Sequence, residues 1–499
     1  MPFIQEVDKL LRIIRSGIPI IAIETSEETR TLGLLRQLSE ELKLPLMGWS
    51  VTEGLRRIDV SKAHTPAKES DDPEIALRLI KQTSRPTFFA LFDLQPFIED
   101  SAVVKRLLKE IAHKNGHGKQ THTLFLIGHK IELASDLRRF VARYQLQMPD
   151  SEQLQDLIKS EALAWSRSNK GKRVKSDNRT MQRLIENLKG INFGDARRLI
   201  KKVIWDDGAI TENELPAVNK AKFELMDMEG VLSFQYETAK FSEVGGLSHL
   251  KEWVKKREKA FFQATKSSKL APPKGMMLVG VQGGGKSLAA KAVAGLWGIP
   301  LLRLDFGALY NKYHGESERN LRSALNMAEL MSPCVLWMDE IEKGVATNDN
   351  DGGTSRRMLG TLLTWMAEQK AAVFVVATSN DISGLPPELI RKGRLDEIFF
   401  VDLPEAEIRK EIFSIHLKKR DIPISDFNFN ELSKVSEGFS GAEIEQAIIS
   451  SLYQIEEGEE IHQQTLIAEI EKTKPLSVVM SEQLKELKVW AKDRTVWAG

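Results

Sequence analysis

GVQGGGKS, residues 280 to 287, has the residue types and spacing of a loop that wraps a phosphate chain, G-x-x-x-x-G-K-[ST]. It lies between an apolar run, GMMLV, and a helical pattern, LAAKAVAGL, which is the context the motif requires. Gly283, Gly284 and Gly285 let the backbone close around phosphate oxygens with its amides pointing inward, and the helix that follows offers its positive end. Lys286 would neutralise the terminal phosphates and Ser287 would ligate magnesium. A bare glycine turn is the alternative, and the flanking strand and helix speak against it. Further on, the apolar run VLWMDE ends in Asp339 and Glu340. Such a strand buries its length and exposes its tip, so Asp339 can hold hydrated magnesium while Glu340 orients and polarises a water. AVFVVATSN brings Asn380 to the end of the next strand, where its amide could hold that water or a γ-phosphate. RKGRLDE adds Arg391 and Arg394. An arginine inserted at a γ-phosphate can be worth roughly 10³ to 10⁵ in rate, although from spacing alone a pair of surface arginines is the simpler reading.

The first half carries an echo of this chemistry. TFFALFDL delivers Asp93 at the tip of an apolar run, with Leu94 where a second acid would activate water. ETSEETRT, residues 24 to 31, stands where a phosphate loop would be, has no glycine and carries Glu24, Glu27 and Glu28. Three carboxylates would repel a triphosphate, and side chains would block close backbone approach. The reading places Asp93 opposite Asp339 and Leu94 opposite Glu340, and expects no nucleotide in this half. An unrelated α/β domain of similar rhythm is the alternative.

Both sites need strands to carry them. IPIIAIE, PLMGWSV, PTFFALFDL and THTLFLIG alternate with helical patterns, and the rhythm returns in KGMMLVG, PLLRLDF, CVLWMDE and AAVFVVATS. Alternation of this kind argues for parallel sheets covered by helices. Four segments of the first half can be laid against four of the second in the same order, including the stretches around Pro149 and Pro404, which points to an internal duplication. SRSNKGKRVKSDN, residues 166 to 178, reads as a polar connecting loop, since no aromatics interleave its basic residues as a nucleic-acid patch would require. The chain of 499 residues is long enough for several cores. Its 71 basic and 70 acidic residues nearly cancel, so no whole-molecule field draws it to nucleic acid or an anionic membrane. The single cysteine, Cys334, excludes an intrachain disulfide and favours a reducing compartment. The start MPFIQEVDKLLRIIRSG does not resemble a secretory signal, and no run reaches the roughly 18 apolar residues of a membrane helix.

Taken together, FSEVGGLSHLKEWV, APPKGMMLVGVQGGGKS, NKYHGESERNLRSAL, PCVLWMDEIEKG, VVATSN, RKGRLDEIFFVDLP and SEGFSGAEIEQAI resemble, in order, the motifs of the AAA family of ATPases over residues 241 to about 455. The resemblance implies a P-loop AAA+ module, a parallel sheet with flanking helices plus a helical lid, here preceded by a degenerate AAA-like α/β module. It implies Mg²⁺ and ATP as cofactors and a homo-oligomeric ring, usually a hexamer, with ATP at each subunit interface. By position, Val244 and Gly245 would line the adenine pocket, and Gly441 and Ala442 would close it from the lid. Val281, Gln282 and Leu288 complete the loop's span; the first two stand where prolines are common in the family. Asn380 becomes the sensor, and Arg391 and Arg394 become interface fingers, which overturns the simpler reading of that pair. Tyr313 stands where threading members project a pore aromatic, beside His314 in place of the usual aliphatic residue. More narrowly, nearly the whole chain resembles the hypothetical-chloroplast-reading-frame (Ycf-type) AAA proteins of cyanobacteria, algal plastids and other bacteria.

The expected organisation is a degenerate module over residues 1–165, a small helical subdomain over 166–210, a linker over 211–240, the ATPase large subdomain over 241–405, and its lid with C-terminal helices over 406–499. The expected activity is ATP hydrolysis coupled to remodelling or threading of an unidentified protein, in the cytoplasm or, if plastid-encoded, the stroma. A nucleotide-dependent scaffold or switch with slow hydrolysis is the second reading. A nucleic-acid motor is the third, and the near-neutral charge counts against it.

Overall fold

Short apolar segments separated by helices pair into two parallel sheets in the computed structural model of the chain, which describes residues 4–60, 65–115, 122–133, 136–211, 214–226, 231–236, 238–262, 272–309, 316–345, 353–382, 384–391, 393–454 and 461–499. The chain divides into two compact units, Met1–Leu157 with Asn192–Arg198, and Ile158–Ile191 with Leu199–Gly499.

The first unit holds β1 (Ile20–Glu24), β2 (Leu46–Trp49), β3 (Arg56–Arg57), β4 (Thr87–Phe92), β5 (His122–Gly128) and β6 (Val141–Tyr144). Their order across the sheet is β3-β2-β4-β5-β1-β6, parallel except for β3. Alternate residues of a strand face opposite sides. Phe89, Leu91, Leu124 and Leu126 therefore pack on one face against Leu107, Leu108 and Ile111, while Phe88, Ala90, Phe125 and Ile127 pack on the other against Leu34, Leu35 and Leu38. Burial on both faces is what makes these strands read as unbroken apolar runs.

In the second unit β7 (Lys175–Ser176) and β8 (Ala209–Ile210) form a small pair of their own. The large sheet holds β9 (Leu232–Gln235), β10 (Gly275–Gly280), β11 (Leu301–Leu304), β12 (Cys334–Met338), β13 (Val373–Ser379), β14 (Glu397–Val401) and β15 (Val496–Trp497). Its order is β15-β14-β10-β13-β12-β11-β9, with only β9 antiparallel. Leaving out β3 from the first sheet and β9 and β15 from the second, the two sheets have the same order by chain position, second-third-fourth-first-fifth, as a duplication requires.

Several expectations change. The helix Ser151–Ser168 crosses the boundary set at residue 165, so the stretch expected as a loop begins inside a helix, includes β7 and ends at the first residue of the helix Asn178–Leu188. The segment expected as a linker holds its expected helix, Leu215–Leu225, but also contributes β9, an edge strand of the large sheet. After the helix Ser481–Ala491 the chain returns to that sheet as β15 beside β14. No described helix is long and apolar enough to cross a membrane.

The match between Asp93 and Asp339 is off by one residue. Asp93 leaves β4 with φ +50° and Glu340 leaves β12 with φ +48°, a left-handed conformation that side-chain-bearing residues seldom adopt. Aligning these two places Leu91 on Met338, and the neighbouring strands agree: Leu91 pairs with Trp49, the last residue of β2, and Met338 pairs with Leu304, the last of β11. Leu94 then matches Ile341, and both are buried core residues. Asp93 thus stands in the place of Glu340, and the place of Asp339 is taken by Phe92.

Candidate active site

β10 is buried along its whole length and ends at the glycine-rich loop. Gly280 leaves the strand at φ +156°, where an added Cβ would lie 2.0 Å from the carbonyl oxygen of Val401. Gly283 and Gly285 adopt φ +75° and +90°, so the loop turns back upon the helix Lys286–Trp297 in a shape only glycine takes without strain. Val281 is buried and donates its amide to Val401 O, while Gln282 and Leu288 line the cleft above. Lys286 is buried, and its Nζ donates to the carbonyl oxygens of Gly280 and Val281 at 2.9 and 2.7 Å. Burial pushes its pKa down to about 8 against the opposing pull of Glu342, Asp339 and Glu340. A buried ammonium held only by carbonyls is a cation that lacks a counter-anion, and this cleft could take one.

The strand tips supply the carboxylates. Asp339 Oδ1 accepts from Thr378 Oγ1 at 2.7 Å and from Ser287 Oγ at 3.5 Å, so the two expected metal-holding side chains meet. Its Oδ2 lies 3.3 Å from Arg303 Nη2. Glu340 Oε1 accepts from Asn380 Nδ2 at 2.9 Å, its Oε2 pairs with Lys343, and its amide donates to Thr378 Oγ1. Asn380 is held in turn through its amide by Glu342. Among the described residues no group of three or more His, Cys, Asp or Glu could bind a metal unaided. A metal at Ser287 and Asp339 would therefore need ligands from elsewhere, as phosphate oxygens provide.

Loop and carboxylates open into a cleft of about 710 Å³ whose far end is lined by Val244, Gly245, Gly441 and Ala442. Each comes from a fixed element. Lys251 Nζ donates to Val244 O, and the amide of Gly246 donates to Glu411. The helix Gly441–Leu452 starts at a capping box formed by Ser440 and Glu443, and the amide of Ala442 reaches Gly283 O. The lid also contributes His416, whose imidazole pKa is lowered by burial although Glu445 opposes the shift. Trp497 and Gly499 line the same end, held because the amides of Leu247 and Leu250 donate to the carbonyls of Gly499 and Ala498.

Other expected residues are not part of this cleft. Arg391 is exposed, and Arg394 donates to the carbonyl of Glu388; neither is among the lining residues. Tyr313 and His314 lie outside the described residues. Sequence reading missed Thr378, Arg303, His416 and the C-terminal segment. Thr378 had a signal, as one of the two hydroxyls, with Ser379, that end an otherwise apolar strand just before Asn380; the tail and Arg303 gain their positions only from pairing with distant strands.

The corresponding place in the first unit is filled by the protein itself. Only Thr25, Ser26 and Glu27 join β1 to its helix, against Val281 through Gly285 in the second unit. Glu27 Oε1 accepts from the amide of Gly194 at 2.9 Å, and its Oε2 pairs with Arg30 at 2.9 Å. Asn192 Oδ1 accepts from the amide of Asp195 as Ser440 Oγ does from that of Glu443, so Gly194 corresponds to Ala442, and the Glu27 carboxylate replaces the carbonyl of Gly283. Arg30 also binds buried Glu6 and the carbonyl of Gln147, and stacks on Phe193. Glu24 is engaged by Arg143 and by the amide of Ile131.

The model of the ATPase family associated with various cellular activities (AAA) matches residues 276–403. The models of the SpoVK-like AAA ATPase N-terminal domain and second domain match residues 6–146 and 152–229. The chain is 34% identical over 490 residues to "Uncharacterized AAA domain-containing protein ycf46" of Trieres chinensis, covering 97% of this chain and 96% of that protein. The protein of the same name from Pyropia yezoensis is 34% identical over 503 residues, covering 99% and 98%. A proteasome-activating nucleotidase of Saccharolobus islandicus is 34% identical over 226 residues, covering 43% of this chain and 56% of that protein.

Proposed function

The chain belongs to the AAA family of ATPases, and from that premise we propose that the cleft of its second unit hydrolyses ATP with Mg²⁺, and that turnover remodels or threads a protein partner. The observation that carries the reading is the convergence of Lys286, Ser287, Asp339, Glu340 and Asn380 on one cleft beneath a glycine loop. Bound Mg²⁺ and ATP would supply an electrophilic phosphoryl group and neutralise the charge that develops on it. Lys286 would leave the loop carbonyls for the terminal phosphates, and Ser287 with Asp339 would hold the metal. Glu340 would take the proton of the attacking water, with Asn380 fixing the carboxylate through its 2.9 Å hydrogen bond. Val244, Gly245, Gly441 and Ala442 would enclose the base.

We assign residues 241–405 to the large ATPase subdomain and 406–499 to the lid with its following helices, acting in a homo-oligomeric ring, a hexamer as is usual in the family. Arg391 and Arg394 lie away from the cleft of their own chain, which suits a role at the neighbour's site. Tyr313 and His314 would form the pore loop. The first module, 1–165, with the helical subdomain 166–210 and linker 211–240, would hold the partner without binding nucleotide, since Glu27 and Phe92 fill the places of loop and metal ligand. A partial relative is by its name a nucleotidase that activates the proteasome, which supports a protein over a nucleic acid as partner.

The test is Glu340→Gln. It should bind one ATP per chain with unaltered affinity and lose turnover by about 10²- to 10⁴-fold, the usual contribution of a general base. Undiminished hydrolysis sinks the assignment. Tyr313→Ala should spare basal turnover and abolish its stimulation by the protein that copurifies with the Glu340→Gln trap; full stimulation would exclude threading.

A further inference from the structure

β11 reads LLRL, and its three leucines are buried in the sheet while Arg303 is its one charged residue. Arg303 pairs in register with Trp337 on β12, and its guanidinium lies 5.1 Å from the centre of the indole ring. From there Nη2 reaches Asp339 Oδ2 at 3.3 Å. Asp339 is thus held from two sides, by Thr378 and Ser287 at one oxygen and by Arg303 at the other. Arg303 does not line the cleft, so it approaches Asp339 from the β9 side of the sheet. The guanidinium is poorly satisfied there, because its buried Nε and the neighbouring Trp337 Nε1 have no hydrogen-bond partner. Asp305, two residues on, is engaged at the start of the next helix, its Oδ1 accepting from the amides of Gly307 and Ala308.

We propose that Arg303 is a resident cation competing with Mg²⁺ for Asp339, displaced when the metal enters with nucleotide. The inference rests on the reading of this cleft as a Mg²⁺-nucleotide site. A divalent ion near Asp339 and Ser287 repels a guanidinium bound to the same carboxylate, and the low polarity of a half-buried strand tip strengthens that repulsion. A single 3.3 Å contact with a buried donor left over is weak enough to yield, and the arginine, 40% exposed, can turn to water. Asp339 is then neutralised while the cleft is metal-free and is released to the metal only when metal arrives. Arg303 is therefore a positioning residue that sets how much magnesium the site demands.

The experiment measures ADP affinity by calorimetry in EDTA and in saturating Mg²⁺, for the full-length wild type, Arg303→Met and Arg303→Lys. With the competitor removed, Mg²⁺ should strengthen ADP binding about tenfold more in Arg303→Met than in the wild type. Arg303→Lys, which retains a cation, should fall between them. Mn²⁺ titrations followed by electron paramagnetic resonance in the presence of ADP should show tighter metal binding by Arg303→Met. An equal Mg²⁺ effect in wild type and Arg303→Met overturns the inference. A larger Mg²⁺ effect that comes only from weaker ADP binding in EDTA, with Mn²⁺ binding unchanged, also overturns it, assigning Arg303 to the phosphates. If the wild type binds no ADP under either condition, the reading of the cleft fails and takes this inference with it.

Discussion

Asn380 Nδ2 donates to Glu340 Oε1 at 2.9 Å, so the amide at the end of β13 fixes the orientation of the carboxylate at the end of β12. The other oxygen of Glu340 faces Lys343, an exposed side chain three residues along the chain. The two partners should not matter equally.

Asn380→Ala should lower the turnover number by about 10²-fold, the order of loss when a catalytic group is displaced by an ångström or so, with ATP affinity nearly unchanged. Lys343→Ala removes an exposed ion pair worth about 0 to 1 kcal/mol and should change turnover by less than about fivefold. Steady-state hydrolysis alongside nucleotide-binding measurements separates the two. Equal losses would mean that the exposed lysine, not the β13 amide, orients Glu340.

Lys286 gives the site a pH dependence with a defined sign. Its pKa is pushed down to about 8 by burial, and bound phosphates favour the charged form. Nucleotide binding should therefore take up a proton above pH 8, and affinity should fall about tenfold from pH 7 to pH 9 while staying flat below pH 7. Calorimetry of ADP binding in buffers of differing ionisation enthalpy reads both effects. Lys286→Arg, which does not titrate in this range, should bind with no such slope.

The glycine-rich loop, the paired acids and Asn380 are legible in sequence because each is a local signature at the end of an apolar run, and a strand buried on both faces announces itself by composition. The sheet edges are not. β9 and β15 are short and hold Ser233, Gln235 and a half-exposed Trp497, so nothing but the neighbouring strand makes them strands. For the same reason the part of Trp497 and Gly499 in the cleft could not be read from their own segment. Asp93 fails differently: letter identity matches it to Asp339, whereas the backbone matches it to Glu340 through the left-handed turn both residues make. A one-residue slip reverses the face of every side chain in a strand, so register has to come from pairing.

Arg30 should be the linchpin of the first unit. It is nearly buried between Glu6 and Glu27, and its removal leaves Glu6 without its ion-pair partner in the interior. Arg30→Ala should lower stability by about 3–5 kcal/mol, the cost of breaking a buried pair from one side. Glu6→Gln combined with Arg30→Met removes both charges and should recover most of that loss. Urea denaturation of the three proteins decides; a double variant no more stable than Arg30→Ala would show that the arginine acts through its packing on Phe193.

Lys222 carries the last prediction. It is buried in the helix Leu215–Leu225, donates to the carbonyl of Lys189 and lies near Cys334, and burial pushes its pKa down to about 8. Its value in the unfolded chain is about 10.4. Between these pH values the folded protein holds fewer protons than the unfolded one, so stability should rise with pH across about 8 to 10.4 and be lowest, for this group, below 8. Lys286 adds a change of the same sign, since its pKa is lowered alike. Lys251, whose pKa burial also lowers, shares that sign, so Lys222→Met removes one of three lysine contributions and should flatten the rise. At pH 7 it should be at least as stable as the wild type, because a buried charge with one carbonyl partner costs more than the hydrogen bond returns. Urea midpoints at pH 7 and pH 9.5 test both statements. A variant that is less stable at pH 7 and keeps the full slope would show that the ammonium is well solvated by its surroundings and that the rise belongs to other groups.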